Sequence, residues 1–233
     1  MSRVQAITEY INECSRKGMM VEARNRYDLV RSRLFDVIKT FNPSVIVKTG
    51  LGTGQLVYDI AANFSSTLVV VEPSQQLIRD FVGKDTNRDI LAKIRLVNGS
   101  LTSMPVDYYA CDLLVCVDYL EFIDSSSAID EFRRVLDFEK HLFIATTVLS
   151  EDDLDGVFDD LMHIIFPLHN DYYVPGDLST ILELNEFRML REKMDTCGEN
   201  MNEFLGFFRE LYPLAEDPSS FIEQHSADLE KLY

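Results

Sequence analysis

Tryptophan is absent from the 233 residues, and the four cysteines (Cys14, Cys111, Cys116, Cys197) lie far apart or off register for a zinc site. Neither a disulfide framework nor a structural zinc module follows from such spacing, so the thiols read as free and the expectation is that no metal is bound. Ten glycines and seven prolines leave no low-complexity tract. No apolar run approaches the roughly 20 residues that cross a bilayer. Met1-Ser2-Arg3-Val4-Gln5 lacks the apolar core of a signal peptide, which makes the cytoplasm the expected location. Positive charge is also short: 22 Lys and Arg stand against 39 Asp and Glu, a formal charge of −17. Such an acidic protein repels phosphate backbones, so nucleic acid is not an expected direct partner. A small molecule or a basic protein fits better, and the aromatic stripe Phe204–Tyr212 leaves a homodimer open. Of the basic residues, eight fall in positions 1–40, against five acidic ones there. No Ser-His-Asp arrangement and no Gly-Lys-Ser/Thr phosphate loop can be assembled.

What is present is a globular composition, 46% apolar, with one informative stretch. Val45-Ile46-Val47-Lys48-Thr49 is a β-branched run that ends in Gly50-Leu51-Gly52-Thr53-Gly54. Leu56, Val57, Ile60, Ala61 and Phe64 then recur at helical spacing. A second apolar run, Thr67–Glu72, ends in an acid 22 residues after Gly50. Glycines that let a ligand approach the backbone, followed by an acid that can accept from ribose hydroxyls, are the layout of a nucleotide-type site at the switch point of a doubly wound sheet. A dinucleotide fingerprint would place its third glycine at position 55, where this chain has Gln55.

Strands and helices alternate on either side. Residues 1–41 read as helices, stopped by Asn42-Pro43. Further strands are expected at 94–97, 113–117 and 141–148, with helices led by Leu77, Ile78 and Phe81 and by Ala128, Ile129 and Phe132. This alternation predicts a mainly parallel α/β sheet with helices on both faces. After Ser150 the pattern changes: a helix over 151–166, a loop rich in His, Tyr and Pro, a helix at Asp177–Leu184, a segment at 187–194 that reads as a strand, an aromatic helix over 199–212, and a last helix after Pro218. One domain is expected, with N-terminal helices in 1–41, a cofactor-binding core in 42–150 and an acceptor-side helical region in 151–233.

Over residues 27–150 the sequence resembles the class I S-adenosylmethionine-dependent methyltransferases. Four ordered segments carry the resemblance. They are the Gly50-Gly52-Gly54 loop, Val69-Val70-Val71-Glu72, Val97-Asn98-Gly99-Ser100-Leu101, and the fourth-strand segment Cys111 to Asp124 with its following Glu131-Phe132-Arg133-Arg134. The resemblance implies a Rossmann-type fold and S-adenosylmethionine as cofactor. It implies that Gly50, Gly52 and Gly54 pass close to the ligand's methionine part, that Glu72 binds the ribose diol, and that Ser100 and Leu101 line the adenine. Val117 and Asp118 would face the methyl-transfer region, and Tyr27 would lie on a covering helix. Asp118 and His169 are the leading candidates for acid-base work, with Glu121 and His163 behind them.

Two departures bear on activity. Lys48 stands where the family has an acid that holds the ligand's ammonium, and Ser100 stands where an Asp accepts from adenine. A like charge a few ångströms from a sulfonium costs on the order of 1 kcal/mol in water and more when shielded. Three readings therefore stay open: a methyltransferase acting on a small molecule, an inactive scaffold of the same fold that binds a protein partner, and a nicotinamide-dependent oxidoreductase.

Overall fold

The computed structural model describes residues 2–17, 24–83, 88–166, 168–170, 172–196, 205–206 and 217–232. The chain divides into two compact units, residues 1–146 and 147–233.

The first unit is built on five parallel strands: β1 (Val45–Thr49), β2 (Thr67–Glu72), β3 (Ile94–Asn98), β4 (Cys111–Val117) and β5 (Leu136–Ala145), in the order β3-β2-β1-β4-β5. The β-branched and aliphatic runs fit this topology because helices cover both faces of the central strands. Ile46, Val47, Leu68, Val70, Leu113 and Val115 are all buried, each worth about 1.5–3 kcal/mol relative to exposure. β5 begins earlier than the sequence suggests. Residues 137–140 are taken up as a bulge between the Cys111–Leu136 and Leu113–His141 pairs, with Glu139 at φ 58°. That bulge leaves Phe138 exposed and stacked on Tyr109, ring centroids 4.8 Å apart.

Helix α1 (Arg3–Arg16) starts in a capping box, in which the Gln5 amide donates to Ser2 Oγ and the Ser2 amide to Gln5 Oε1. Helix α2 (Arg24–Phe41) buries Leu34, Phe35 and Ile38 in the main core. It ends where Asn42 turns left-handed, φ 45°, ahead of Pro43. Helices α3 (Gln55–Asn63), α4 (Gln75–Gly83), α5 (Arg88–Leu91) and α6 (Ser125–Val135) fill the crossovers. The loop between β3 and β4 is held by α6. Arg134 donates to the Val106 and Met104 carbonyls (2.7 and 2.9 Å), and the Met104 amide donates to Glu131.

The second unit contains α7 (Val157–Ile165), α8 (Asp177–Leu184), α9 (Ser219–Gln224) and α10 (Ser226–Leu232). Two sequence expectations fail here. The helix expected from 151 starts only at Val157, because the buried carboxylate of Asp153 takes the first free amides, Val157 N at 2.8 Å and Phe158 N at 3.1 Å. Residues 187–194 form no strand, since the imperfect alternation finds no ladder partner there. Most of the aromatic helix expected over 199–212 lies outside the described residues. Among the described residues no helix is long and apolar enough to cross a membrane.

A Cβ at Gly99 would sit 2.3 Å from the Pro105 ring, whereas one at Gly83 meets nothing within 4 Å among the described residues. The proline ring is stiff, so Gly99→Ala must shift backbone. It is expected to destabilise by about 1–3 kcal/mol, while Gly83→Ala stays within about 0.5 kcal/mol. Thermal unfolding of both variants checks this, and equal melting temperatures would refute the close approach.

Candidate functional site

The site forms where β1 and β4 diverge at their carboxyl ends, the switch point of the sheet. Gly50, Gly52 and Gly54 all adopt left-handed backbone, at φ 70°, 59° and 85°. Side chains are disfavoured at all three positions, which explains why the glycines alternate without interruption. Leu51 between them turns inward and joins the core. Gly54 is the N-cap of α3 and leaves that helix end without a side-chain cap.

Glu72 ends β2 and is only 1% exposed. One carboxylate oxygen accepts from the Leu51 amide (2.8 Å) and the other from the Ser74 amide (2.7 Å). Burial raises its pKa, and those two amides and the Lys48 charge pull it back. Ser74 in turn caps α4 through the Leu77 amide (2.9 Å) and donates to Asn12 Oδ1 of α1 (2.6 Å). Helix α1 thus reaches the site's rim, and Arg3 at its start donates to the Phe122 carbonyl (2.9 Å). A cavity of about 450 Å³ lies between Thr8, Asn12 and Arg16 of α1, Gln75, Gln76 and Arg79 of α4, and Pro73 and Asn98 at the strand ends.

Lys48 points inward, 4% exposed, and its ammonium donates to the Gly50 carbonyl (2.7 Å) and the Thr49 carbonyl (3.2 Å). The amine therefore sits on the glycine loop. The outer glycines are also covered. A Cβ on Gly50 would lie 3.1 Å from the Tyr119 ring, and one on Gly54 would lie 2.5 Å from the Phe81 ring. The glycine faces are occupied here by the protein's own aromatic rings. The polar frame suits an adenosine bearing an amino acid, because each Glu72 oxygen has a second lone pair and three loop positions carry no side chain. Glu72 is closed off from solvent as it stands, so ligand entry requires Tyr119 to leave Gly50 and Phe81 to leave Gly54.

The other expected residues are distributed unevenly. Leu101 is buried behind the β3 loop, and Ser100 shares its hydroxyl with Thr102 (3.0 Å). Val117 closes β4. Tyr27 is turned to α3, its hydroxyl donating to Asp59 (2.6 Å) rather than covering the glycine loop. Asp118 adopts φ 50° just past β4 and is bound by Arg26, whose Nε lies 3.2 Å from Oδ2 and whose second nitrogen donates to Oδ1. Glu121 is buried close by and accepts from the Thr146 hydroxyl (3.2 Å). His169 belongs to the second unit, where it contacts Asp159. Arg26 was missed in the sequence, and Phe81 and Tyr119 read there only as a helix-face residue and part of the fourth-strand segment, since each reaches the site through a contact between residues far apart in the chain.

Residues 47–144 match the family model described as methyltransferase domain. Among curated proteins none matches the sequence. Solved structures share the fold. The YcgJ protein of Bacillus subtilis is 18% identical with a TM-score of 0.56, covering 65% of this chain and 66% of its own. The [4+2]-cyclase SpnF is 19% identical with a TM-score of 0.54, covering 64% and 52%. A candidate methyltransferase of Bacillus halodurans is 14% identical with a TM-score of 0.62, covering 77% and 81%. The chain thus spans between about half and two thirds of the first two. The methyltransferase-domain family uses S-adenosylmethionine.

The acid cluster after β4 has a testable consequence. Burial, with the Asp118 charge second, pushes the Glu121 carboxyl up to about 7, against about 4.3 for an unperturbed glutamate. The folded chain therefore holds this proton more tightly than the unfolded one. Its contribution to stability is full below about pH 4, falls as pH rises towards 7, and is level above that. Glu121→Gln removes the fall. The loss of stability between pH 5 and pH 8 should shrink by on the order of 2 kcal/mol, read from denaturant unfolding at several pH values. An unchanged pH profile would rule Glu121 out as the group responsible.

Proposed function

We propose that this chain, whose residues 47–144 match the methyltransferase-domain family, is a class I methyltransferase that transfers a methyl group from S-adenosylmethionine to a small-molecule acceptor. One observation carries the reading: three left-handed glycines and a strand-end carboxylate are joined in one loop at the switch point of a parallel sheet.

When bound, S-adenosylmethionine supplies a methyl group on a positively charged sulfur. The loop backbone at Gly50, Gly52 and Gly54 accommodates its amino-acid part, and Glu72 accepts hydrogen bonds from the ribose hydroxyls. Ser100 and Leu101 border the base, and Val117 borders the reacting end. Tyr119 and Phe81, displaced from the glycines, are positioned to exclude water from the ligand. Glu121 is the group suited to take the acceptor's proton, because a carboxyl near 7 is protonated or ionised at little cost at neutral pH. Asp118, held by Arg26, orients that end of the site and raises Glu121 by its charge. His169 is engaged with Asp159 and takes no part in this assignment.

A second reading is favoured by Lys48. An ammonium fixed on the Gly50 carbonyl repels a cationic ligand. A scaffold that has filled its own crevice with Lys48, Tyr119 and Phe81 would keep the architecture and bind a protein partner instead. The fold is not tied to methyl transfer, since a protein named as a [4+2]-cyclase shares it.

Titration calorimetry with S-adenosylmethionine, S-adenosylhomocysteine and a nicotinamide cofactor separates the readings. The first two are expected to bind and the third is not. A ligand at 100 times its dissociation constant should add about 2.7 kcal/mol of stability. Lys48→Met should tighten both adenosine ligands, which share an ammonium, and S-adenosylmethionine the more, by about tenfold, since it alone also carries the sulfonium charge. Heat with neither adenosine ligand would leave the scaffold reading, and heat with the nicotinamide cofactor alone would replace both.

A further inference from the structure

The second unit holds a cluster that the methyl-transfer reading does not use. Asp159 and His163 stand four residues apart on α7, hence on one face of the helix. That face is opposite the buried one formed by Val157, Leu161, Met162 and Ile165. After α7 the chain turns back, with the His169 amide donating to the Phe166 carbonyl (2.9 Å). The turn lays the His169 ring onto the first turn of the same helix, with Nε2 2.7 Å from Asp159 Oδ1. The His163 ring nitrogen Nδ1 lies 3.6 Å from Asp159 Oδ2.

One donor atom from each of the three residues lies within 4.8 Å of the others. Zinc bonded at 2.0–2.2 Å places tetrahedral ligand atoms roughly 3.3 Å apart. The gap is small compared with the swing of a histidine ring about its side-chain torsions. The His163 side chain is 44% exposed, and metal binding through Nδ1 requires it to give up its 2.9 Å contact with the Asp159 carbonyl. His169 is fixed by contrast: its side chain is fully buried and packs against Tyr172 at 4.3 Å, which itself stacks on Phe158. The Tyr172 amide donates to Asp159 Oδ1 at 2.8 Å and orients the carboxylate. Asp159 is also not needed at the helix N-terminus, because Asp153 already takes the amides there.

We propose that Asp159, His163 and His169 form a three-ligand site for a divalent first-row transition metal, zinc in the first instance. Two imidazoles and one carboxylate suit that class and not magnesium or calcium, which prefer all-oxygen sets. Three protein ligands leave a fourth position for water or a ligand of the acceptor type. Buried orientation of one ligand by an amide and a stacked tyrosine is the outer support such sites use. The sequence spacing hides the site, because its third ligand is contributed by a turn rather than by a recognisable repeat.

The test is calorimetric titration of zinc chloride into the full chain, stripped with chelator and held in excess magnesium to occupy the acidic surface. One equivalent of zinc is expected to bind. His163→Ala, at a half-exposed position, should keep the circular dichroism of the parent and weaken zinc by at least about tenfold. Cobalt(II) substitution should give the strong visible bands of a tetrahedral site without a thiolate charge-transfer band. Absence of a stoichiometric heat, parent-like affinity in a folded His163→Ala, or a thiolate band tracing the metal to a cysteine would each overturn the proposal. If Asp159→Asn is used instead and unfolds, the His163 variant still decides.

Discussion

The carboxylate of Glu72 holds the switch point together. It is buried at the end of β2, and it reaches sideways to the glycine loop through Leu51 and forwards to the start of α4 through Ser74. Each hydrogen bond to a charged acceptor is worth about 1.5–3 kcal/mol, and leaving the carboxylate buried without them would cost more than that. Ser74 extends the tie to α1 through Asn12. The left-handed glycines follow from the same constraint. A chain that must leave β1, present the Leu51 amide to Glu72, bury the Leu51 side chain and enter α3 within five residues has few backbone solutions, and those include positive φ. The group that resembles a ligand contact is therefore also a structural bolt, and its replacement would test both roles at once.

That double role explains why the fold was legible from the sequence and the state of the site was not. β-branched runs, helical periodicity and turn residues are local, so the parallel order of the sheet, the helix stop at Asn42-Pro43 and the loop at Gly50 could be read directly. The pairing of α6 with the β3 loop was also encoded, in Glu131 and Arg134, though only the coordinates reveal that these residues grip Met104 and Val106. The site depends on contacts of long sequence separation. Arg26 meets Asp118 across 92 residues, and the Tyr119 and Phe81 rings meet glycines whose lack of side chain they exploit. A bare glycine face reads the same in sequence whether a ligand or a ring covers it. Local competition accounts for the second unit: Asp153 sets the start of α7 later than apolar periodicity alone suggests, and the 187–194 alternation has no strand to pair with among the described residues.

Shared architecture sets the location of chemistry without setting its outcome. The cleft of a doubly wound sheet lies at the carboxyl ends of the strands because helix N-termini and free strand-end groups converge there. What enters it depends on a few side chains, and in this chain those differ from the pattern the fold is best known for. Lys48 and Ser100 alter the charge and hydrogen bonding available to an adenosine ligand, while the backbone that would cradle it is retained. Function therefore has to be argued from the residues of the site.

Charge balance states the issue most sharply. Three carboxylates, Glu72, Asp118 and Glu121, and two cations, Lys48 and Arg26, surround the carboxyl ends of β1, β2 and β4. With Glu121 protonated the cluster is neutral, and with Glu121 ionised it carries one net negative charge. A cationic ligand brought into this region favours the ionised form, and by linkage the ionised form favours the ligand. Lys48 opposes that attraction from the glycine loop, whereas Glu121 supplies it from the far side of β4. The two residues act on a sulfonium in opposite senses. For a cationic ligand, the negative charge that Glu121 can supply after β4 therefore offsets in part the positive charge that Lys48 places at the end of β1.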